Sequence, residues 1–427
     1  MSLILKNISL FSGNDLEFVD SGCIVIGKHG LVTHVGKRSY DHNKENERVF
    51  DGEGLLACPG FINAHTHIGD SFGKDIGIDL DLELEQRIHP KYGFKRRILN
   101  SSKRDHLMSF MRGTALSMMK RGITTFADFR EGGIEGLKLL DDAISGLSIK
   151  CIRLGRPEYY FNLEARKKPK NTQSNPTMKR KRSLTDDFAK RASKVLELSD
   201  GFGISGANEN TDDSLVYFRK LAGAYKKKSK RNIILAIHAA ESRKSVEFSL
   251  SVMCKNEVQR ILQFLKPDFV VHMTNVSDED ISNVAKQDIG IVVCPRSNAI
   301  LRTGFPDVPK MLRSGCCIGI GTDNTMINSP DMFREMEFLW KMSKTMHNGF
   351  LSARDVLKMA TTNGGKILNI NSGSIAPNMA ADIIFFKKDH IDLAPLHDPY
   401  AAVVHRADID SISNVMINGR LIDGEEI

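Results

Sequence analysis

The sequence predicts an α/β fold: a (β/α)8 TIM-like barrel, accompanied by a small β-sandwich domain assembled from both chain termini. Three observations predict it. In the middle of the chain, short apolar runs alternate with helical stretches, the pattern of parallel strands joined by crossovers. Both ends instead carry short strands and turns without helical periodicity. Finally, 427 residues exceed the usual size of one domain but suit one large barrel with an attachment.

Residues 2 to 54 read as strands over Leu3 to Leu10, Gly22 to Gly27, Leu31 to Gly36 and Val49 to Asp51. The apolar run Leu55 to Ile62, interrupted by Pro59 and Gly60, reads as the approach to a first barrel strand that ends at His65-Thr66-His67. Seven further candidates follow: Ile123 to Phe129, Ile149 to Leu154, Gly201 to Gly206, Ile233 to His238, Phe269 to His272, Gly290 to Cys294 and Cys317 to Asp323. Amphipathic helices fit between most of them, at Arg104 to Lys120, Ser183 to Leu198, Asp213 to Lys227 and Ser245 to Leu265. Near the end, Asp382 to Phe386 and Ser413 to Ile417 read as strands, and Asn418-Gly419 as a tight hairpin turn before Arg420 to Ile422. The expected division is 1–54 with 372–427 for the composite β domain and 55–371 for the barrel.

Apolar residues make up 41% and charged residues 26%, ordinary values for a soluble chain, and no apolar run approaches the ~20 residues of a membrane span. The first residues lack the charged-then-apolar pattern of a secretory signal, so a cytoplasmic setting is expected. Seven cysteines, an odd number with no Cys-x-x-Cys unit, read as reduced core residues. The net charge of +8 invites a nucleic-acid reading until its place is found. Eight of the 60 basic residues lie between Arg166 and Arg182 without an acid among them, and the other 52 match the 52 acidic residues. Basicity therefore belongs to one loop insertion, 166–182, read as a solvated surface segment, or functionally as a polyanion contact or a lid favouring an anionic substrate. Lys226-Lys227-Lys228 and Lys230-Arg231 read as the exposed end of a helix. Neither nucleic acid nor membrane is expected as a partner; a small-molecule substrate is.

The chemistry gathers at the strand ends, where a barrel places it. In an extended strand His65 and His67 point the same way and Thr66 the other. His238 ends the fifth candidate strand, His272 the sixth and Asp323 the eighth. Imidazoles with one carboxylate suit a single divalent ion, Zn²⁺ or Fe²⁺, with a position left for water. Glu241 follows His238 by three residues and can sit over such a site to take and return a proton. Asp323 follows an apolar strand, where a charge is costly unless paired or bound to metal.

Together these residues resemble the amidohydrolase superfamily, and within it the cytosine deaminase and chlorohydrolase-like branch. The resemblance is carried by Pro-Gly-Phe-Ile-Asn-Ala-His-Thr-His (59 to 67), Gly-Ile-Thr-Thr-Phe-Ala-Asp (122 to 128), His238-x-x-Glu241, His272, Cys294-Pro295-x-Ser297-Asn298 and Gly321-Thr322-Asp323. Ala380-Ala381-Asp382-Ile383-Ile384, His397-Asp398-Pro399-Tyr400-Ala401 and Asn418-Gly419-Arg420 extend it over nearly the whole chain. The resemblance implies that His65, His67, His238 and Asp323 bind one metal, that Glu241 shuttles protons and that His272 polarises the substrate. It also implies a homo-oligomer. Two departures matter. Binuclear members carry a carboxylated lysine at the end of the fourth strand, yet no lysine lies between Lys194 and Lys220, so one metal is expected unless Glu209 bridges a second. Adenosyl-nucleoside deaminases place a histidine after that strand, where this chain has Gly206-Ala207-Asn208-Glu209-Asn210. The expected activity is an aminohydrolase acting on a heterocyclic or amidine-like small molecule. Cyclic amide opening or displacement of another ring substituent is the alternative, and a polyanion-binding protein on a hydrolase frame is the rival from another class.

Overall fold

In the computed structural model, which describes residues 2–36, 47–89, 91–159, 185–346 and 350–422, eight parallel strands follow one another around a ring. They are Phe61–His67, Ile123–Arg130, Lys150–Gly155, Gly201–Ile204, Ile234–Ala239, Phe269–His272, Gly290–Val293 and Ile318–Ile320. The eighth resumes beyond Gly321-Thr322 as Asp323–Asn324 and pairs with the first, Asp323 opposite Thr66 and Asn324 opposite His67. That pairing closes the barrel. The basic segment 166–182 lies outside the described residues.

Most of the strands form because their residues are apolar on both faces and each face finds a core; Lys150–Gly155, which carries Lys150 and Arg153, is half-buried over its first four residues. Ile62, Ala127, Phe129, Ile234, Val271 and Val292 fill the barrel interior, while Phe126, Phe202, Ile237, Val270, Ile291 and Ile320 pack outward against helices. Simple alternation would not bring His65 and His67 to the same side as Ile62. A bulge does so: three residues of strand one, from Asn63 to Thr66, span two of strand two, from Phe126 to Asp128.

The helix Arg104–Lys120 stands where its periodicity put it. Asp186–Leu198 and Asp212–Ser229 start behind Thr185 and Thr211, whose hydroxyls accept from the backbone N–H of Phe188 and Ser214. Lys226, Lys227 and Lys228 occupy the last turn of the latter, the end that favours cations. The helix expected over Ser245 to Leu265 is broken: Arg243–Met253 stops at Cys254, in the left-handed region, and Glu257–Arg260 runs on into a π turn, Ile261–Leu265. Asn256, whose side chain accepts from the N–H of Val258 and Gln259, restarts it.

Both chain ends build one forked sheet. Its path runs Arg420–Leu421, Ile412–Ile417, Ile383–Lys387, Leu55–Pro59, Ser2–Ser12, Glu17–Ile26, Val32–Gly36, with Glu47–Asp51 alongside the first half of Ser2–Ser12. Asn418 and Gly419, both at positive φ, turn the last hairpin. The run Leu55 to Ile62 is therefore two strands and not one barrel approach. Leu55–Pro59 pairs antiparallel with Ile383–Lys387, and the barrel strand starts at Phe61. Proline cannot donate to a ladder, and Gly60 redirects the chain where its N–H reaches the carbonyl of Asp382 at 2.8 Å. Alternation then divides the sheet's faces. Leu56, Cys58, Ile384 and Phe386 join the barrel's outer core, while Ala57, Ile383 and Phe385 belong to the sheet's own. Among the described residues no helix is long and apolar enough to cross a membrane.

Candidate metal centre

Strand one carries His65 and His67 into the barrel mouth, strand five His238, strand six His272, and the second half of strand eight Asp323. Four of these side chains, His65, His238, His272 and Asp323, offer ligand atoms that all lie within 4.8 Å of one another. His67 completes the cluster. His65 Nε2 is 3.2 Å and His67 Nε2 3.5 Å from Asp323 Oδ1, and His67 Nε2 is 3.4 Å from His238 Nε2. Two atoms each ~2.1 Å from one ion stand ~3.4 Å apart at a tetrahedral angle, so these spacings fit a shared ion.

The electrostatics fit as well. Burial lowers the pKa of His65 and holds His67 and His238 well below the usual imidazole range. Burial pushes the Asp323 carboxyl up, but the hydrogen bond and charge of His65, with His272 and His67, hold it well below the usual carboxylate range. Neutral imidazoles and an ionised carboxylate are the forms that bind a divalent metal.

His238 and Asp323 are fixed from behind, whereas the buried Nδ1 atoms of His65 and His67 have no hydrogen-bond partner. His238 Nδ1 lies 3.0 Å from the carbonyl of Ile204. A carbonyl only accepts, so Nδ1 carries the proton and the Nε2 lone pair faces the cluster. The Ser297 hydroxyl donates to Asp323 Oδ2. Thr66 Oγ1 donates to the Asp323 carbonyl at 3.0 Å and Thr325 Oγ1 to the His67 carbonyl at 2.8 Å. Asn63 bonds both the hydroxyl and the N–H of Thr322. His272 and Asp323 sit at φ +75° and +58°, a conformation sparsely used by such residues and concentrated at functional sites.

The amidohydrolase family model matches residues 56–422 of the chain. A protein of Methanothermobacter thermautotrophicus, named provisionally as an aminohydrolase, is 33% identical over 98% of this chain and 99% of its own. The chain belongs to the amidohydrolase family. As such it is a metal-dependent hydrolase of carbon–nitrogen bonds other than peptide bonds. A 5-methylthioadenosine/S-adenosylhomocysteine deaminase of Thermoanaerobacter pseudethanolicus is 28% identical over 99% of this chain and 94% of its own. Among solved structures, a zinc-bound adenosine deaminase of Xanthomonas campestris superposes with a TM-score of 0.81 at 18% identity, covering 98% of this chain and 92% of its own. The zinc complex of an atrazine chlorohydrolase of Arthrobacter aurescens gives 0.80 at 18%, covering 99% and 96%. Identities this low speak for the fold alone.

In this amidohydrolase a cavity of about 580 Å³ opens over the cluster, lined by His67, His238, His272, Asp323 and Glu241. Glu241 Oε2 stands 3.6 Å from His272 Nε2, and Asn275 steadies the turn by donating to the Glu241 carbonyl at 3.0 Å. Glu209 lines the same cavity from the turn after strand four but is not one of the clustered ligands.

Sequence reasoning missed part of the wall. Lys95 is buried and bridges Asp70 at 2.7 Å and Glu131 at 2.9 Å, and Arg156 reaches Glu131 at 2.6 Å. Burial pushes Asp70 up to about 6, while Lys95, with burial opposing, is held raised by its two carboxylates. Asp70 lies three residues past His67, as Glu241 does past His238, and that spacing was the available signal. Glu257, on the same wall, is pushed up to about 7 by burial.

Proposed function

We propose that the chain is an aminohydrolase that releases ammonia from an amino-bearing sp² carbon of a heterocyclic or amidine-like small molecule. One observation carries the reading: a histidine–aspartate cluster, a carboxylate and a further imidazole converge on one cavity. His65, His67, His238 and Asp323 would hold one Zn²⁺, Fe²⁺ being the alternative. An ion so held supplies a water whose pKa is lowered from 15.7 to about 7, a nucleophile available at neutral pH.

The chain's own groups do the rest. Glu241 takes a proton at its carboxylate and delivers it to the departing nitrogen. His272 donates from Nε2 to the heterocycle or amidine nitrogen on which charge develops, and Asp323, held by Ser297, accepts a proton from the attacking side. His272, Asp323 and Glu241 are buried, which strengthens each of these interactions.

Relatives that span nearly the whole chain and are named as an aminohydrolase or as deaminases support ammonia as the leaving group, and zinc in solved neighbours supports the ion. Free cysteines, most of them buried or half-buried, suit the cytoplasm; self-association belongs to the same reading and is tested by gel filtration. The test is metal analysis followed by an ammonia-release screen across purine, pyrimidine, triazine and guanidino compounds. About one Zn²⁺ per chain and ammonia from one class are expected. Ring opening or release of another substituent without ammonia would replace the reading.

A further inference from the structure

We propose that Asn298 is a positioning residue that fixes the tautomer of His272, making it a hydrogen-bond donor to the reacting group and withholding it from the metal. This rests on the hydrolase reading above, and extends it to a residue outside the cavity wall.

Asn298 is fully buried on the short helix Pro295–Ile300. Its Nδ2 lies 3.1 Å from His272 Nδ1 and 3.0 Å from Thr303 Oγ1. The Thr303 hydroxyl donates to the Asn298 backbone carbonyl at 3.3 Å, and the Thr303 N–H to the same carbonyl at 3.0 Å. With its proton engaged there, Thr303 Oγ1 offers lone pairs to the side chain, and the amide turns its NH₂ toward it. This contact favours the orientation in which the amide N–H groups face His272 Nδ1 and Thr303 Oγ1, at the expense of Asn298 Oδ1, which is buried without a hydrogen-bond partner.

The consequence for His272 follows from what an amide N–H can do. It only donates, so His272 Nδ1 accepts, and the one proton of the neutral ring must sit on Nε2. That nitrogen is buried, has no hydrogen-bond partner within the protein and lies 3.6 Å from Glu241 Oε2. A protonated Nε2 has no lone pair to give a metal. His238, on the neighbouring strand, shows the opposite arrangement: its Nδ1 faces a carbonyl, so its Nε2 is the free ligand. Two adjacent histidines are sorted into ligand and donor by the chemistry of the group behind each. The sorting selects His65, His67 and His238 as the ligating imidazoles from four that crowd around Asp323.

The test reads the ring nitrogens directly. Zinc-loaded protein with ¹⁵N-labelled histidine is compared with His272→Gln to assign the His272 signals. An unprotonated Nδ1 and a protonated Nε2 are expected, and Asn298→Asp, which puts an acceptor in the donor's place, moves the proton to Nδ1. The same variant loses about a hundredfold in kcat, the order found for removing one donor to charge that develops in the transition state, with zinc content unchanged. Thr303→Val, which only frees the amide to turn, shifts both readouts the same way by less. A proton on Nδ1 in the wild-type protein, or wild-type kcat in Asn298→Asp, overturns the proposal. Should either variant fold poorly, the wild-type nitrogen shifts decide alone. An absence of ammonia from every compound counts against the aminohydrolase, and the nitrogen shifts still decide the tautomer.

Discussion

Glu241 and His272 approach to 3.6 Å, too far for a direct hydrogen bond but near enough for a substrate atom or a water to touch both. That spacing separates binding from proton transfer. Glu241→Gln keeps the shape of the side chain and removes the acceptor. Metal content should stay at the wild-type level while kcat falls by about 10²- to 10⁴-fold, the ordinary worth of a general acid–base; metal analysis and ammonia release measure the two. Full turnover in that variant would remove Glu241 from the chemistry. Ser297 tests the other side of the cluster. Its hydroxyl donates to the Asp323 oxygen that turns away from His65 and His67. Ser297→Ala leaves that oxygen to swing, and metal affinity should drop by about 10- to 100-fold, as for other partners behind a ligand. Competition with a chelating dye reads it, and an unaltered affinity would mean that Asp323 is held by its backbone alone.

At the scale of elements, strand eight comes so close to strand one that only glycine fits between them. A Cβ on Gly321 would lie 2.6 Å from His65 Cβ and 2.8 Å from the His65 carbonyl oxygen. Gly321→Ala should therefore force the strands apart, lowering stability by about 1–3 kcal/mol and weakening metal binding with it. Gly113→Ala is the contrast, since nothing lies within 4 Å of its Cβ. On the exposed side of the helix Arg104–Lys120 it should raise stability by about 0.5–1 kcal/mol. Thermal melts check both, and equal effects would refute the packing argument. These elements differ in how far the sequence discloses them. Most of the barrel strands are legible because they are apolar runs buried on both faces and cut off by a polar or glycine residue, as at Ile237-His238 or Ile320-Gly321; Lys150–Gly155, half-buried over its first four residues, is legible only from its place in the alternation. The helix Arg104–Lys120 is legible from its period. The bulge between Asn63 and Thr66 is not, because it is set by register against Phe126 to Asp128. The division of Leu55–Ile62 at Gly60 is hidden for a similar reason: the partner of Leu55–Pro59 is Ile383–Lys387, more than 300 residues away. Lys95 escapes too, since its partners come from separate segments, Asp70 from the 3-10 helix Ile68–Gly73 and Glu131 from the turn after strand two, and nothing local marks a lysine for burial.

For the whole molecule, the histidine–aspartate cluster doubles as the seam of the barrel. Thr66 and Asp323, which pair across it, are 257 positions apart in sequence, and bringing such distant segments together carries a loop-closure cost. Few backbone pairs offset it, because strand eight contributes only Asp323 and Asn324 to the pairing with strand one. An ion held by His65 and His67 on one side of the seam and Asp323 on the other would staple it shut. The terminal sheet has its own fastening. Lys150 of strand three forms an ion pair with the buried Asp382, which also accepts from Ser372 and from the N–H of Asn418 at 2.8 Å. None of these groups touches the cluster. Chelation should consequently loosen the molecule in one place. At free metal about 100 times its Kd, the bound ion is worth about 2.7 kcal/mol, so its loss should speed exchange at the seam about 100-fold where opening is limited by the staple. Hydrogen exchange after chelation should accelerate first at 61–67 and 318–324, with the strands Ser2–Ser12 and Ile383–Lys387 protected as before. Uniform acceleration across barrel and sheet would show that the ion stabilises the fold as a unit and that the seam has no separate weakness.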